Sequence, residues 1–200
     1  MFAFVLWDTK KKEMFAARDM FGIKPLYYTE INGNIIYASE IKSILEYPLY
    51  QKEVNLKALE QYLSFEYSVL PETFFKGVFK LMPGHYMIWK NGSKTITRYF
   101  DPMLTPSKDP VDHAKLVDQI DETMQDSIRY HMVSDVEVAS LLSSGVDSSY
   151  VACHFHGSRT YTVGFDYEKY NEIPYAQELS KTLGIENHSK VISTEEYWKE

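Results

Sequence analysis

Three prolines within ten residues, DPMLTPSKDP at positions 101–110, constrain this chain more than any other feature. Proline has no N–H to give to a helix or a sheet ladder, and the residue before it is pushed to extended backbone, so neither kind of element continues through the run. It reads as a linker, and the hydrophobic period differs on its two sides. Before it come short β-like segments, MFAFVLWD, EMFAARD, PLYYTE and NIIYAS, with Asn32-Gly33 between the last two as a tight hairpin signal. EIKSILEY after Ser39 predicts a short helix. Asn55 reads as the N-cap of a second helix, with Leu56, Leu59 and Leu63 at helical spacing on one face. Strand character returns in GVFKLMPGHYMIWKNGSKTITRYFD, with turns at Pro83-Gly84 and Asn91-Gly92.

Beyond the prolines the pattern changes. Leu116, Ile120, Met124 and Ile128 share one helical face between about 112 and 131, and VEVASLL at 136–142 reads as a buried strand. A helix over 147–156, a second buried strand RTYTVGF and a helix face of Ile173, Ala176, Leu179 and Leu183 ending at Gly184 follow. Alternating strands and helices of this kind imply a parallel sheet covered by helices. The expected organisation is a mostly antiparallel α+β domain over 1–101 and an α/β domain over 111–200.

Charge and cysteine content remove several function classes. Twenty-one basic against 28 acidic residues give a net charge of −7, which offers no footprint for a phosphate backbone, so nucleic acid is not an expected partner. The single cysteine, Cys153, rules out an intrachain disulfide framework and a multi-cysteine zinc site, and suits a reducing, cytoplasmic setting. The longest apolar stretches, such as FAFVLW at 2–7, are far shorter than a bilayer span. No membrane partner is expected.

The chemistry concentrates in LLSSGVDSSYVA, residues 141–152, where a Ser/Gly-rich turn separates a strand from a helix. A helix N-terminus presents unpaired backbone N–H groups and the positive end of the helix dipole, and small residues let a phosphate approach them. Ser143, Ser144, Ser148 and Ser149 add hydroxyls. Asp147 would repel a bare phosphate, so its presence suggests a bound magnesium ion between the two. On composition alone the same residues also suit an ordinary capping loop. The lysine of a G-x-x-x-x-G-K-[ST] loop is absent, and so is the spacing of a dinucleotide fingerprint.

SSGVDSS resembles the PP-loop of the N-type ATP pyrophosphatases, SGGxDSS. SEIKSIL and RDMFGIKPLYY resemble the class II glutamine amidotransferase domain of the glutamine-hydrolysing asparagine synthetases, in which the amidotransferase comes first and the pyrophosphatase second. FAFVLWD at 2–8, LMPGHYMIW at 81–89 and YTVGFDYEKYNEIPYAQELSKTLGIENH at 161–188 extend the likeness over almost the whole chain. The resemblance implies an antiparallel amidotransferase sandwich followed by a parallel-sheet ATP pyrophosphatase domain. It also implies a ligase that uses ATP, Mg2+, aspartate and glutamine, with β-aspartyl-AMP as intermediate and AMP and pyrophosphate as products. It carries Ser143, Gly145, Asp147 and Ser148 over to the pyrophosphate and its magnesium, with Asp147 as the metal ligand. Ser144 lies in the same ATP-binding stretch, and Leu142 and Val163 go to the adenosine portion, where an ordinary core role is also compatible. Related ligases of the same domain order that act on another carboxylate, including β-lactam synthetases, and a nucleotide-binding remnant are the alternatives. A homodimer is compatible with the sequence and not fixed by it.

The departures from the family pattern are as informative. Ser144 stands where SGGxDSS has its first glycine, which adds a Cβ and a hydroxyl beside the phosphate path. The family's amidotransferase nucleophile is an N-terminal cysteine, whereas this chain begins Met1-Phe2 and has no cysteine before Cys153. The expectation is therefore a piece of a longer protein at both ends, with no working glutaminase in these 200 residues, no amide transfer alone and weak or absent ATP binding. Arg18 and Asp19 read as a buried ion pair beside a Gly22 turn, Cys153 as a small buried thiol, and His154 and His156 as residues split across helix faces rather than metal ligands.

Overall fold

The computed structural model describes residues 1–104, 106, 110, 112–167, 169 and 171–199. The chain divides into two compact units, Met1–Pro106 and Ser107–Glu200. Of the proline-rich stretch, Thr105, Ser107, Lys108 and Asp109 lie outside the described residues, as does Val111, where the second domain was expected to begin.

The first unit contains two antiparallel sheets. β1 (Ala3–Asp8), β2 (Glu13–Arg18), β6 (His85–Lys90) and β7 (Ser93–Arg98) form one in the order β1-β2-β6-β7. β3 (Tyr27–Ile31), β4 (Asn34–Ala38) and β5 (Val78–Lys80) form the other, in the order β4-β3-β5. The hairpin turns form as the Asn-Gly pairs require. Asn32 and Gly33 take φ of 51° and 74°, and Asn91 and Gly92 take 51° and 73°, the left-handed values of a two-residue turn that matches strand twist. The core is shared by the two sheets: Met14, Ala16, Met87 and Trp89 from the first meet Tyr28 of the second together with Leu26 and Leu81.

Two short helices complete this unit, α1 (Ile41–Leu45) and α2 (Leu56–Phe65). Asn55 caps α2, its side chain accepting from the Ala58 N–H at 3.4 Å. The leucine face of α2 is not what packs. Leu56 and Leu63 are exposed, Leu59 is half-buried and Ala58 is the buried residue.

Arg18 and Asp19 do not pair with each other; each charge is met by backbone dipoles. The Arg18 guanidinium donates to the carbonyls of Lys24, Leu81 and Gly22, each at 2.8 Å. The Asp19 carboxylate, 5% exposed, accepts the N–H groups of Phe2, Phe21, Ile23 and Lys24 at 3.0–3.1 Å.

The second unit alternates helix and strand: α3 (His113–His131), β8 (Ser140–Leu141), α4 (Val146–His154), β9 (Arg159–Phe165), α5 (Ile173–Leu183), β10 (Glu186–Ile192) and α6 (Thr194–Lys199). Its three strands are parallel in the order β10-β9-β8. Asp112 caps α3, and Gly184, with φ of 70°, ends α5 in the left-handed conformation that glycine adopts without a Cβ clash. Leu142, Ala152 and Ala176 form the core of this unit, with Leu179 and Leu183 packed against it.

Several readings of this half are corrected. VEVASLL is not a buried strand: only Ser140 and Leu141 pair with β9, the Val136 N–H bonds the Ser134 hydroxyl in a turn, and Val136 and Leu141 are exposed. RTYTVGF is a strand buried on one face only, with Thr160, Thr162 and Gly164 inward and Tyr161, Val163 and Phe165 open, because helix α5 packs on one side of it. Cys153 is exposed, one position past Ala152 and so about 100° around α4 from the buried side. On α3, Ile128 is buried while Leu116 and Ile120 are exposed. α4 ends at His154, which lies 3.2 Å from the Asp121 carboxylate of α3, so His156 is beyond the helix. β10 and α6 were not anticipated. No helix is long and apolar enough to cross a membrane among the described residues.

Candidate functional site: the loop between β8 and α4

The site begins at the C-terminal end of the parallel sheet, where open α/β folds place ligands. The Leu142 N–H donates to the Tyr161 carbonyl at 2.9 Å, and the buried Thr162 hydroxyl donates to the Leu142 carbonyl at 2.8 Å. Asn187 of β10 in turn donates to the hydroxyls of Thr160 and Thr162 at 3.0 and 2.9 Å. This buried polar network fixes where the strand stops and the loop starts. Thr162 and Asn187 were not among the expected site residues, since hydroxyl and amide positions inside strands carry no sequence signal of what they bond.

The serines of the loop do two different jobs. The Ser148 hydroxyl accepts the Ser143 N–H at 3.3 Å, lies 2.8 Å from the Ser143 hydroxyl and donates to the Gly145 carbonyl at 3.0 Å. Ser143 accepts the Gly145 N–H at 3.1 Å, and Ser149 donates to the Gly145 carbonyl at 2.8 Å. These four residues therefore hold the loop's own shape, but none of their side chains caps a helix N–H, so the capping reading is corrected. Ser144 instead points outward, donating to the Glu172 carboxylate at 2.8 Å.

What remains is a set of unused donors. Gly145 is the N-cap of α4 with extended backbone and no side-chain cap bond. The N–H groups of Ser144, Val146, Asp147 and Ser148 make no hydrogen bond among the described residues, whereas that of Ser149 bonds the Gly145 carbonyl. Four free N–H groups at one helix N-terminus attract an anion, and the helix dipole acts in the same direction. Asp147, exposed in the first turn, is the carboxylate beside them.

Next to the loop lies a cleft of about 720 Å3 lined by Ser144, Val163, Phe165, Asn171, Glu172 and Tyr175, with Lys169. Val163 and Phe165 form its apolar floor from the open face of β9, and Tyr175 of α5 stands at its side. The N-terminal end of α5 comes close because β9 has Gly164: a Cβ there would lie 2.5 Å from Asn171 Oδ1 and 2.6 Å from Ile173 Cδ1. Of the expected residues, the structure places Ser143, Ser144 and Gly145 in the loop, Asp147 and Ser148 in the first turn of α4, and Val163 in the cleft. Leu142 is 3% exposed, so its side chain is core and only its backbone faces the loop. Phe165, Asn171, Glu172 and Tyr175 are added by the geometry.

The donor set suits a magnesium ion held jointly with a ligand. Among the described residues no three His, Cys, Asp or Glu side chains cluster as a self-sufficient metal cage. Magnesium is usually held by one or two carboxylates and completed by phosphate oxygens and water, and Asp147 supplies one carboxylate beside the free N–H groups.

The first unit is thus antiparallel, and the second is parallel with a strand–loop–helix that leaves backbone N–H groups free among the described residues. Residues 1–100 match the family described as glutamine amidotransferase domain, and residues 119–200 match the family described as asparagine synthase. Asparagine synthetase (glutamine-hydrolyzing) 1 of Bacillus subtilis (strain 168) is 43% identical over 205 residues, covering 100% of this chain and 32% of the relative. A putative asparagine synthetase (glutamine-hydrolyzing) of Mycobacterium bovis is 37% identical over 208 residues, covering 98% of this chain and 32% of the relative. The amidase chyE of Penicillium rubens is 36% identical over 154 residues, covering 76% of this chain and 22% of its own length. The chain belongs to the family of glutamine-hydrolysing asparagine synthetases. It spans about a third of the length of the first two of these relatives.

Proposed function

We propose that the 143–149 loop binds the polyphosphate of ATP, and that the chain contributes this site to a ligase that makes asparagine from aspartate. The observation that carries the reading is the set of four free N–H groups beside Asp147 at the C-terminal end of a parallel strand. In this reading residues 1–101 are the amidotransferase domain and 111–200 the ATP pyrophosphatase domain. Ser144, Val146, Asp147 and Ser148 donate their N–H groups to phosphate oxygens, while Ser143, Gly145 and Ser148 keep the loop in shape. Val163 and Phe165 offer an apolar surface for the adenine, and the Leu142 backbone sits beside it. Asp147 would hold magnesium, which when bound neutralises phosphate charge.

The reaction is the one that the family resemblance implies. The aspartate side-chain carboxylate attacks the α-phosphorus of ATP, a P–O bond forms, and pyrophosphate leaves as β-aspartyl-AMP is made. Ammonia then attacks the activated carbonyl, AMP leaves with the bonding electron pair, and the surplus proton goes to solvent. Fixed N–H dipoles favour the first step, since they already face the charge that accumulates on the departing pyrophosphate. No cysteine precedes Cys153, so the thiol that would release ammonia from glutamine is not among these 200 residues.

The test is equilibrium binding of ATP to the chain, with and without Mg2+, for the wild type and Asp147→Ala. Magnesium-dependent binding that falls at least about tenfold in the variant is expected, since the metal loses its protein carboxylate. Binding of equal strength in both proteins would overturn the assignment of Asp147.

A further inference from the structure

We infer that Glu172 is a positioning residue that makes polyphosphate binding to the 143–149 loop depend on a divalent cation, an inference that rests on the reading of this loop as a polyphosphate site. Glu172 stands at the N-terminal end of α5, on the wall of the same cleft that Ser144 and Val163 line. Its carboxylate accepts the Ser144 hydroxyl at 2.8 Å. Serine is also the residue by which this chain departs from the SGGxDSS pattern. A glycine at that position would have no hydroxyl to hold the carboxylate.

Two physical consequences follow. A hydroxyl has one proton, so while Ser144 gives it to Glu172 it has none to give to a phosphate oxygen. The carboxylate is thereby held against the loop that carries the anion-binding N–H groups. An arriving polyphosphate then meets two carboxylates, Asp147 and Glu172, and the repulsion is offset only when a divalent cation comes with it. Without that cation the loop discriminates against free polyphosphate. The close approach of α5 over Gly164 keeps Glu172 within reach of Ser144.

Inorganic pyrophosphate is the probe, titrated into the chain in EDTA and again in excess Mg2+, with the amide resonances of residues 144–148 as readout. Glu172→Gln keeps an oxygen that accepts from Ser144 and removes the charge, so a purely structural role predicts no change. The expected result is roughly tenfold tighter metal-free binding in Glu172→Gln, the order of effect of one neighbouring charge on a multiply charged anion, shrinking to within about twofold in Mg2+. Ser144→Gly, which frees the carboxylate to swing away, is expected to gain about threefold in EDTA on the same grounds. Equal metal-free affinities in wild type and both variants would overturn the role of Glu172 while leaving the site intact. Failure of the wild type to bind pyrophosphate in Mg2+ would overturn the site reading itself, and the inference with it.

Discussion

Asp19 is the buried charge whose removal has the most calculable effect. Burial alone raises its pKa, but the N–H groups of Lys24, Ile23, Phe2 and Phe21 outweigh that and hold it at about 2, against an ordinary 3.8. A folded-state pKa below the unfolded value means stability that is present above pH 3.8 and is lost as pH falls toward 2. The shift corresponds to about 2 kcal/mol. In Asp19→Asn the four donors face one carbonyl oxygen and an NH2 group, so the variant is expected to be about 2–4 kcal/mol less stable at pH 7. The assay is urea unfolding followed by fluorescence of Trp89, a core residue of this unit, at steps from pH 7 to pH 2. The wild-type and variant curves should converge by about 2 kcal/mol between pH 5 and pH 2, because the wild type alone carries this titration. A gap that stays constant over that interval would refute the reasoning, since the donors would then be stabilising Asp19 no better than solvent does.

Other substitutions test the second unit. Gly164→Ala forces a Cβ into the start of α5 and should destabilise this unit by about 1–3 kcal/mol, read as a lowered midpoint in thermal unfolding. The same variant should tighten metal-free pyrophosphate binding in the sense expected for Ser144→Gly, because it moves the Glu172 carboxylate away from the loop. Cys153, exposed on α4, should react fully with a thiol reagent in native buffer at a rate close to that in urea. Ser148→Ala removes the hydroxyl that joins Ser143 to Gly145 and should cost about 1 kcal/mol in unfolding experiments, as well as loosening the loop.

Much of the first unit is legible because its signals are local. Asn-Gly pairs demand left-handed backbone, alternating apolar residues demand one buried face, and Asn55 followed by a helical pattern demands a cap, so these elements fall where expected. Burial is less legible, because it depends on what meets the element. Leu56 and Leu63 have the right spacing and stay exposed, and VEVASLL is apolar enough for a central strand yet pairs through two residues only. Cys153 was misread for a related reason: composition says a lone cysteine packs inside, while a 100° step from Ala152 decides that it does not. Arg18 and Asp19 show the limit of reading charges as pairs, since adjacent residues on one strand end project apart and each found backbone partners instead.

At the loop, local chemistry and family resemblance together point to Ser143, Ser144, Gly145, Asp147 and Ser148 as the candidate residues. Neither located Glu172 or Thr162, which act on the loop from positions 28 and 20 residues away in sequence. Only the packing of α5 against β9 and the pairing of β9 with β8 bring them there.

The most direct test is a titration of the isotopically labelled chain with Mg-ATP into the millimolar range, followed residue by residue through its backbone amides. The account predicts that the resonances of Ser144, Val146, Asp147 and Ser148 move first and saturate together with that of Val163, and that Asp147→Ala shifts the response to at least about tenfold higher concentration. Movement centred on other residues, or no movement at any concentration, would contradict it.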